Sequence, residues 1–388
     1  MSNQVFTRNG KAAVFDPVRQ VLVLQTPEEN VRQAFFTRLI KLGYPKENIK
    51  FEFPISRLVP KAKGRLDIVV FANPETPLII FELKNSENIL TDSVLEQVQE
   101  YNRNVQARYV AVSNGSEIRY YQHQNGKYKY ISNEPNFKEL IEESNLRYDH
   151  LSFNLTPLFP AIFADAGYAK KLIADGIIGV DTPQEIRPHI ADFDNFLTTS
   201  RKLAELPLRD SRLEIIDDLH ISAREYGNVS GGSYTGVFRG FLVRDLSGEA
   251  QIYRIAIMAN ARTENDPRIG TRRGTTALLV SVDDYDYSVH NSLQMSIDDS
   301  VSIDSGQIHY YHNGSMTVGN KGAVKRDVIL SHLTEHFPAE LPVTDRGVFL
   351  GSLPLGGKID WPEAKAFIIR LILYANVRDL LRKQISQQ

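Results

Sequence analysis

The sequence contains no cysteine. That excludes disulfides, thiolate zinc sites and thiol nucleophiles, and it accords with a reducing compartment. Long apolar runs are missing as well: Phe367 to Tyr374, the longest, is interrupted by Arg370 and is far too short to span a bilayer. The opening stretch MSNQVFTRNGKAAVFDP has no apolar core of the kind a signal peptide needs. No membrane partner is therefore expected, and the cytoplasm is the expected location. An excess of one charge is lacking too. With 45 Lys and Arg against 47 Asp and Glu, the net charge is −2, so any contact with nucleic acid must rest on local patches.

What is present is an ordinary folded composition, 42% hydrophobic and 24% charged. At 388 residues the chain exceeds the usual size of one core, so two domains are expected, residues 1–148 and 149–388. In the first, Val21 to Leu24 read as a strand. Thr26, Pro27, Glu28 and Glu29 then open a helix as N-cap, N1 proline and first-turn acids, with Val31, Phe35, Leu39 and Leu42 on one face and a stop at Gly43. A strand at Phe51–Phe53 precedes two apolar runs, Leu66 to Phe71 and Leu78 to Leu83, which flank the turn Asn-Pro-Glu-Thr. A second helix follows from about Asp92 to Asn104, then strands at Arg108–Ser113, Glu117–Gln122 and Lys127–Ile131. The order α-β-β-β-α-β-β-β describes a compact α/β domain.

The rest changes texture. Leu151 to Leu206 is helical and broken by prolines; beyond Arg212, six alternating segments between Leu213 and Tyr311 read as strands, and two helices, Lys325–His336 and Pro362–Lys383, close the chain. An α+β domain with a mainly antiparallel sheet or sandwich is expected.

The hairpin carries the chemistry. Taken as symmetric about Pro74–Glu75, it sets Phe71 opposite Leu78 and Asp67 opposite Glu82, with Cβ atoms only about 5 Å apart. Lys84 shares that face by the period of two. Opposed carboxylates repel, and a hard divalent cation between them, Mg²⁺ or Mn²⁺, relieves the repulsion. The adjacent lysine can then orient a water or stabilise charge on a phosphate. Lys84 can also serve as the counter-ion of a purely structural triad, and the physics alone leaves both readings open.

Asp67, followed by Glu82-Leu83-Lys84, resembles the D…E-x-K signature of the PD-(D/E)XK nuclease superfamily, and Gln97 to Tyr101 matches the Q-x-x-x-Y motif of its RecB-like members. More closely, PEENVRQAFFTRLIKLGYP, GRLDIVVF, PLIIFELK, LEQVQEYNR and YVAVSNGSEIRYY resemble the N-terminal nuclease domain of type I restriction enzyme R subunits, over roughly residues 15 to 125. The resemblance implies a restriction-endonuclease-like α/β fold and a Mg²⁺-dependent (or Mn²⁺-dependent) endodeoxyribonuclease acting in restriction or defence against foreign DNA. It implies metal ligands at Asp67, Glu82 and the carbonyl of Leu83, a catalytic Lys84, and Gln97 and Tyr101 facing the site. The first-helix acid would be Glu28 or Glu29. Glu29 is also placed to close a capping box with Thr26, whereas Glu28 shares a face with Val31 and Phe35, which favours Glu28. The usual proline before the aspartate is replaced by Leu66. The implied partners are DNA, a separate motor or specificity subunit, since no Walker A motif is present, and a second copy of the chain. The alternative is a non-catalytic DNA-binding or assembly protein on the same fold.

Other signals are weaker. His332, Glu335 and His336 match the H-x-x-E-H zinc pattern but fall at a helix end beside Phe337-Pro338, with only Glu340 and Glu363 as later acids, and read as solvated. Ser230 to Gly236 reads as a turn rather than a phosphate loop. Arg65, beside Asp67, is an ordinary surface arginine or a phosphate clamp. Arg268, Arg272 and Arg273 form one basic loop and Lys321, Lys325 and Arg326 another, either solvated or touching phosphates. Asp283 to Asp286 would repel nucleic acid or hold a cation weakly.

Overall fold

In the computed structural model the chain divides into two compact units, Met1–Phe153 and Asn154–Gln388. Residues 4–84, 89–152, 155–203, 206–209, 212–227, 233–283, 289–318 and 322–387 are described.

The first unit opens with an antiparallel meander, β1 (Val5–Arg8), β2 (Lys11–Asp16) and β3 (Val21–Leu24). Helix α1 (Pro27–Lys41) begins where the Thr26 side chain accepts the Glu29 amide at 3.1 Å, and it ends before Gly43, whose φ of +78° suits a residue without Cβ. Six further strands follow: β4 (Ile49–Pro54), β5 (Arg65–Asn73), β6 (Thr76–Leu83), β7 (Tyr109–Ser113), β8 (Ile118–Gln124) and β9 (Lys127–Ile131). They form one sheet in that order, antiparallel except for the parallel pair β6–β7. Helix α2 (Asp92–Val105) makes the crossover that a parallel pair requires. From α1 to β9 the elements come in the expected order. Strands β1 and β2 and a last helix, α3 (Phe137–Ser144), were not anticipated.

Period-two alternation sends neighbouring residues of the sheet into two cores. Ile68, Val70, Ile79 and Phe81 pack with Phe35 and Leu39 of α1 and Leu140 of α3. Leu66, Val69, Ile80 and Val110 pack with Val94 and Val98 of α2. Strands β6 and β7, covered on both faces, are accordingly apolar from Pro77 and Tyr109 until Glu82 and Ser113 near their ends.

The hairpin departs from ideal symmetry near its turn. Phe71 pairs with Pro77 instead of Leu78, because register shifts bracket Phe71. Pairing below the shift is the symmetric one, with Ile68 opposite Phe81, so one residue further Asp67 is level with Glu82.

In the second unit, Leu208–Arg209, Glu214–Gly227, Ser233–Arg244, Ala250–Ala259, Thr276–Asp283 and Val289–Ser296 form an antiparallel six-stranded sheet. Bulges at Ile215/Asp217 and Asp218/Ile221 interrupt its long second strand. A four-stranded antiparallel sheet holds Val301–Asp304, Gln307–His312, Gly347–Pro354 and Val343–Thr344. The helix Trp361–Gln387 lies against strands of both sheets and buries Phe367, Leu371 and Tyr374. The fold is thus mixed α/β with mainly antiparallel sheets. Among the described residues no helix is long and apolar enough to cross a membrane.

Candidate functional site

The register of three strands builds a row of acids. On β4 and β5, Phe51 pairs with Ile68 and Phe53 with Leu66, which sets Glu52 level with Asp67; on the other side Asp67 is level with Glu82. Glu52 itself takes a left-handed φ of +50°, a conformation uncommon outside glycine and concentrated where geometry serves a site.

Two cations flank the row. Lys84 Nζ donates to Glu82 Oε1 at 2.8 Å and to Gln97 Oε1 at 3.1 Å. Gln97 Nε2 donates to the same Glu82 oxygen at 2.8 Å and to the Tyr101 hydroxyl at 3.3 Å. On the other flank Arg32, buried in α1, pairs with Glu29 and Glu52 and lies 3.8 Å from Asp67 Oδ1. Its Nε is buried without a hydrogen-bond partner among the described residues. Arg19 extends the network from the meander, bonding Asp16 and, at 3.1 Å, Glu29.

The cations do not fully offset the crowding. Burial, then the charge of Asp67, pushes the Glu82 carboxyl up to about 7, although Lys84 pulls the other way. Burial also raises Asp67, against the Leu83 amide that it accepts at 2.7 Å and the charge of Arg32. Burial alone would lower Lys84, but its hydrogen bond to Glu82 and the charges of Glu82 and Asp67 outweigh that and hold its ammonium above the ordinary value.

Of the residues singled out in the sequence, Asp67, Glu82, Lys84, Gln97 and Tyr101 converge here, Tyr101 only through Gln97. Leu83 contributes its amide to Asp67. Glu28 does not converge. It is exposed at the helix start, whereas Glu29 is buried, because the inward face of the first turns runs through Glu29, Arg32 and Phe36 rather than through Val31. Nor does Glu29 close the capping box. Its carboxylate turns to Arg19, Arg32 and Gln33, leaving Thr26 as a one-sided cap. Arg65 pairs with Glu52 at 3.2 Å.

Arg32 and Glu52 were missed. The signals were there: Glu29 and Arg32 sit at helical i,i+3 spacing, and Glu52 is a lone acid between two phenylalanines.

The site's chemistry is that of hard oxygen donors. Glu82 Oε2 accepts no hydrogen bond among the described residues, and two carboxylates on adjacent strands suit a hard divalent cation that keeps part of its water shell. Among the described residues no group of three or more His, Asp or Glu side chains is arranged to hold a metal ion, so water or a phosphate oxygen would have to complete the coordination.

The weaker signals resolve differently. The His332 and His336 rings meet at 4.6 Å, with Glu335 3.7 Å from His336 Nε2, but Glu340 pairs with Arg212 and Glu363 with the Asp360 amide, and among the described residues no group of three side chains is arranged there to hold a metal ion. Asp283 is no surface acid; it is buried against Arg254 at 2.6 Å and against Tyr226, since it ends a fully buried strand. Asp284, Tyr285, Asp286, Lys321 and Ser230 to Gly232 lie outside the described residues, and Ser233 to Gly236 belong to the strand Ser233–Arg244.

Residues 27–135 match the family model for the type I restriction enzyme R protein N terminus (HSDR_N). The match takes in α1, the whole six-stranded sheet and every residue of the acid row, and covers under a third of the chain. No curated protein and no solved structure matches the chain.

Proposed function

We propose that the first unit is a metal-dependent endodeoxyribonuclease of the PD-(D/E)XK kind, on a restriction-endonuclease-like fold, acting in restriction or defence. The observation that carries this reading is the convergence of Asp67, Glu82, Lys84 and Gln97 at the end of one hairpin, inside the segment that matches the R-protein N terminus. Asp67 and Glu82, with the Leu83 carbonyl, would hold Mg²⁺ or Mn²⁺, which when bound supplies Lewis-acid polarisation of the scissile phosphate. The protein's own groups do the rest. Gln97 keeps Lys84 beside Glu82, so the ammonium stays where it can orient a water for attack on phosphorus and stabilise the developing negative charge. Tyr101 fixes the amide of Gln97 from the next turn of α2. Arg32 stabilises the row from behind, its charge favouring the carboxylate form of Asp67 against the burial that raises it. DNA is the substrate on this reading, and a separate motor or specificity subunit is the partner.

A second reading has an observation of its own. Lys84 already bonds Glu82, and Arg32 already bonds Glu29 and Glu52, so the cluster is a connected ion network that could serve as structure in a non-catalytic DNA-binding or assembly protein.

Cleavage of supercoiled DNA by the purified chain separates the two. With Mg²⁺ or Mn²⁺ the nuclease reading expects nicking that stops in EDTA and falls at least about 100-fold in Asp67→Ala and Lys84→Ala. Wild-type protein that leaves DNA intact with either metal, alone and with its genomic neighbours, would overturn it.

A further inference from the structure

The second unit holds a cleft of about 1230 Å³ lined by arginines from both basic segments noted in the sequence. Arg272 and Arg273, on the hairpin Thr263–Asp266/Gly270–Arg272 and just beyond it, line it with Arg326, the first residue of the helix Arg326–His336. Arg378 and Arg382, one turn apart on the long C-terminal helix, join them. Among the described lining residues Asp299 is the only carboxylate, and it pairs with Arg273 at 2.8 Å.

The individual arginines differ in a telling way. Elsewhere in this unit buried guanidiniums have carboxylate partners: Arg239 pairs with Asp218, and Arg254 with Asp283. Arg378 is equally buried, at 4% exposure, but rests on neutral oxygens, the carbonyls of Ser292 at 3.0 Å and Ser315 at 2.8 Å and the hydroxyl of Tyr374. Among the described residues it has no ion pair, and neither have Arg272 and Arg326. The buried carboxylate of Asp379 acts on Arg378 but pairs with Arg382 at 2.6 Å, so the two guanidiniums share one anion, and an anionic ligand in the cleft would offset the remaining cost. Asn291 lines the same cleft with its Nδ2 buried and, among the described residues, unpartnered, a donor that a phosphate oxygen would satisfy. The field is felt nearby: burial, then the charges of Arg378, Arg326 and Arg382, hold His312 well below its ordinary value.

We propose that this cleft binds the phosphodiester backbone of a nucleic-acid strand, with Arg272 and Arg326 each meeting a phosphate at the rim and Arg378 supplying fixed positive charge beneath. At about 1230 Å³ it exceeds the roughly 300–1,000 Å³ of an ordinary small-molecule pocket, which favours a segment of polymer over a single nucleotide. Tyr234, half-buried among the lining residues, offers a ring on which a base can stack. Near-neutral net charge is no obstacle, since the basic groups are gathered locally. The choice of nucleic acid among polyanions rests on the function proposed above; the cleft itself does not.

The test is fluorescence anisotropy with labelled single- and double-stranded oligodeoxynucleotides, using the full chain in EDTA so that cleavage plays no part. Wild type is compared with Arg272→Glu/Arg326→Glu over a range of salt. Both side chains are exposed, and melting curves check that the variant is folded. Each phosphate that the protein neutralises adds about 0.7–0.9 to the steepness of log K against log salt, so the double variant should bind more weakly with a slope shallower by roughly 1.5. Equal affinity and slope in variant and wild type, or no binding by wild type, would overturn the proposal. Displacement of the strand by low micromolar mononucleotide would also overturn it, and would assign the cleft to free nucleotides. Wild-type cleavage is measured separately, so a failure of the nuclease reading and a failure of the cleft are told apart.

Discussion

The two units gather like charges in opposite senses. In the first, Glu52, Asp67 and Glu82 stand in a row across three strands, answered by Arg32 and Lys84. In the second, five arginines line one cleft against two carboxylates among the described residues, Asp299 paired with Arg273 and the buried Asp379 paired with Arg382. Each cluster is partly compensated from within, and in each the compensation falls short at one buried group: Glu82, pushed up to about 7, and Arg378, buried on neutral oxygens. Like-charge crowding that the chain does not fully neutralise is what a site for an opposite charge looks like before its ligand is considered. On the readings proposed above, the acid row would take a divalent cation and the arginine cleft phosphates.

Removing the internal compensation should break the comparison most severely. Arg32→Met leaves Glu29 and Glu52 facing Asp67 without their shared cation and should cost the first unit about 3–5 kcal/mol. The sole tryptophan, Trp361, lies in the second unit, so its emission should follow that unit while hydrogen exchange of β5 and β6 amides reports the loss. Unchanged exchange protection would mean that the arginine is not holding the row together.

Neutralising the crowded acid should act in the other direction. The folded-state value of Glu82 near 7 lies above the ordinary 4.5, so the folded protein binds the proton more tightly than the unfolded chain does. The resulting stability is fully present below pH 4.5 and is lost as the pH rises towards 7. Glu82→Gln has no charge to lose. In EDTA it should match wild type near pH 4.5 and exceed it at pH 8 by up to about 3 kcal/mol, seen in the same β5 and β6 amides. Parallel pH dependences in the two proteins would contradict the burial argument.

Smaller effects sharpen the boundary of the site. Tyr101→Phe removes only the 3.3 Å bond to Gln97 and should cost about 0.5–1.5 kcal/mol, with cleavage reduced but not abolished. Glu28→Ala, at an exposed position, should change stability by less than about 0.5 kcal/mol and leave cleavage intact, while Glu29→Ala should impair both. An active-site phenotype for Glu28→Ala would reverse that assignment.

Asp67, Glu82 and Lys84 were legible because a hairpin obeys a period of two: once Asp67 and Glu82 are level, the face of Lys84 follows, whereas Gln97 and Tyr101 were singled out only through the resemblance. The turn-side shift at Phe71 did not spoil this, since pairing below it returned to the symmetric register. What escaped was set by polar contacts rather than apolar pattern. The inward side of α1 was assigned from Val31 and Phe35, yet its first turns are buried through Glu29 and Arg32, an ion pair that hydrophobic periodicity discounts. Glu52 joins the row through the β4–β5 register, a pairing between strands that the hairpin's own period does not reveal, and it takes a left-handed backbone there. The meander β1–β2 was passed over despite Asn9-Gly10, both at positive φ in a two-residue turn that pairs Arg8 with Lys11. The arginine cleft was invisible for a different reason: its parts come from a hairpin, a helix start and the last helix, which sequence separates and only the tertiary fold assembles.

The most direct test of the central claim is calorimetric titration of the full chain with Mn²⁺ at pH 8, beside Asp67→Asn and Glu82→Gln. The account predicts binding by wild type that each substitution weakens at least about tenfold, a change of roughly 1.4 kcal/mol or more. Wild-type protein that binds no Mn²⁺, or binding that survives both substitutions unchanged, would contradict it.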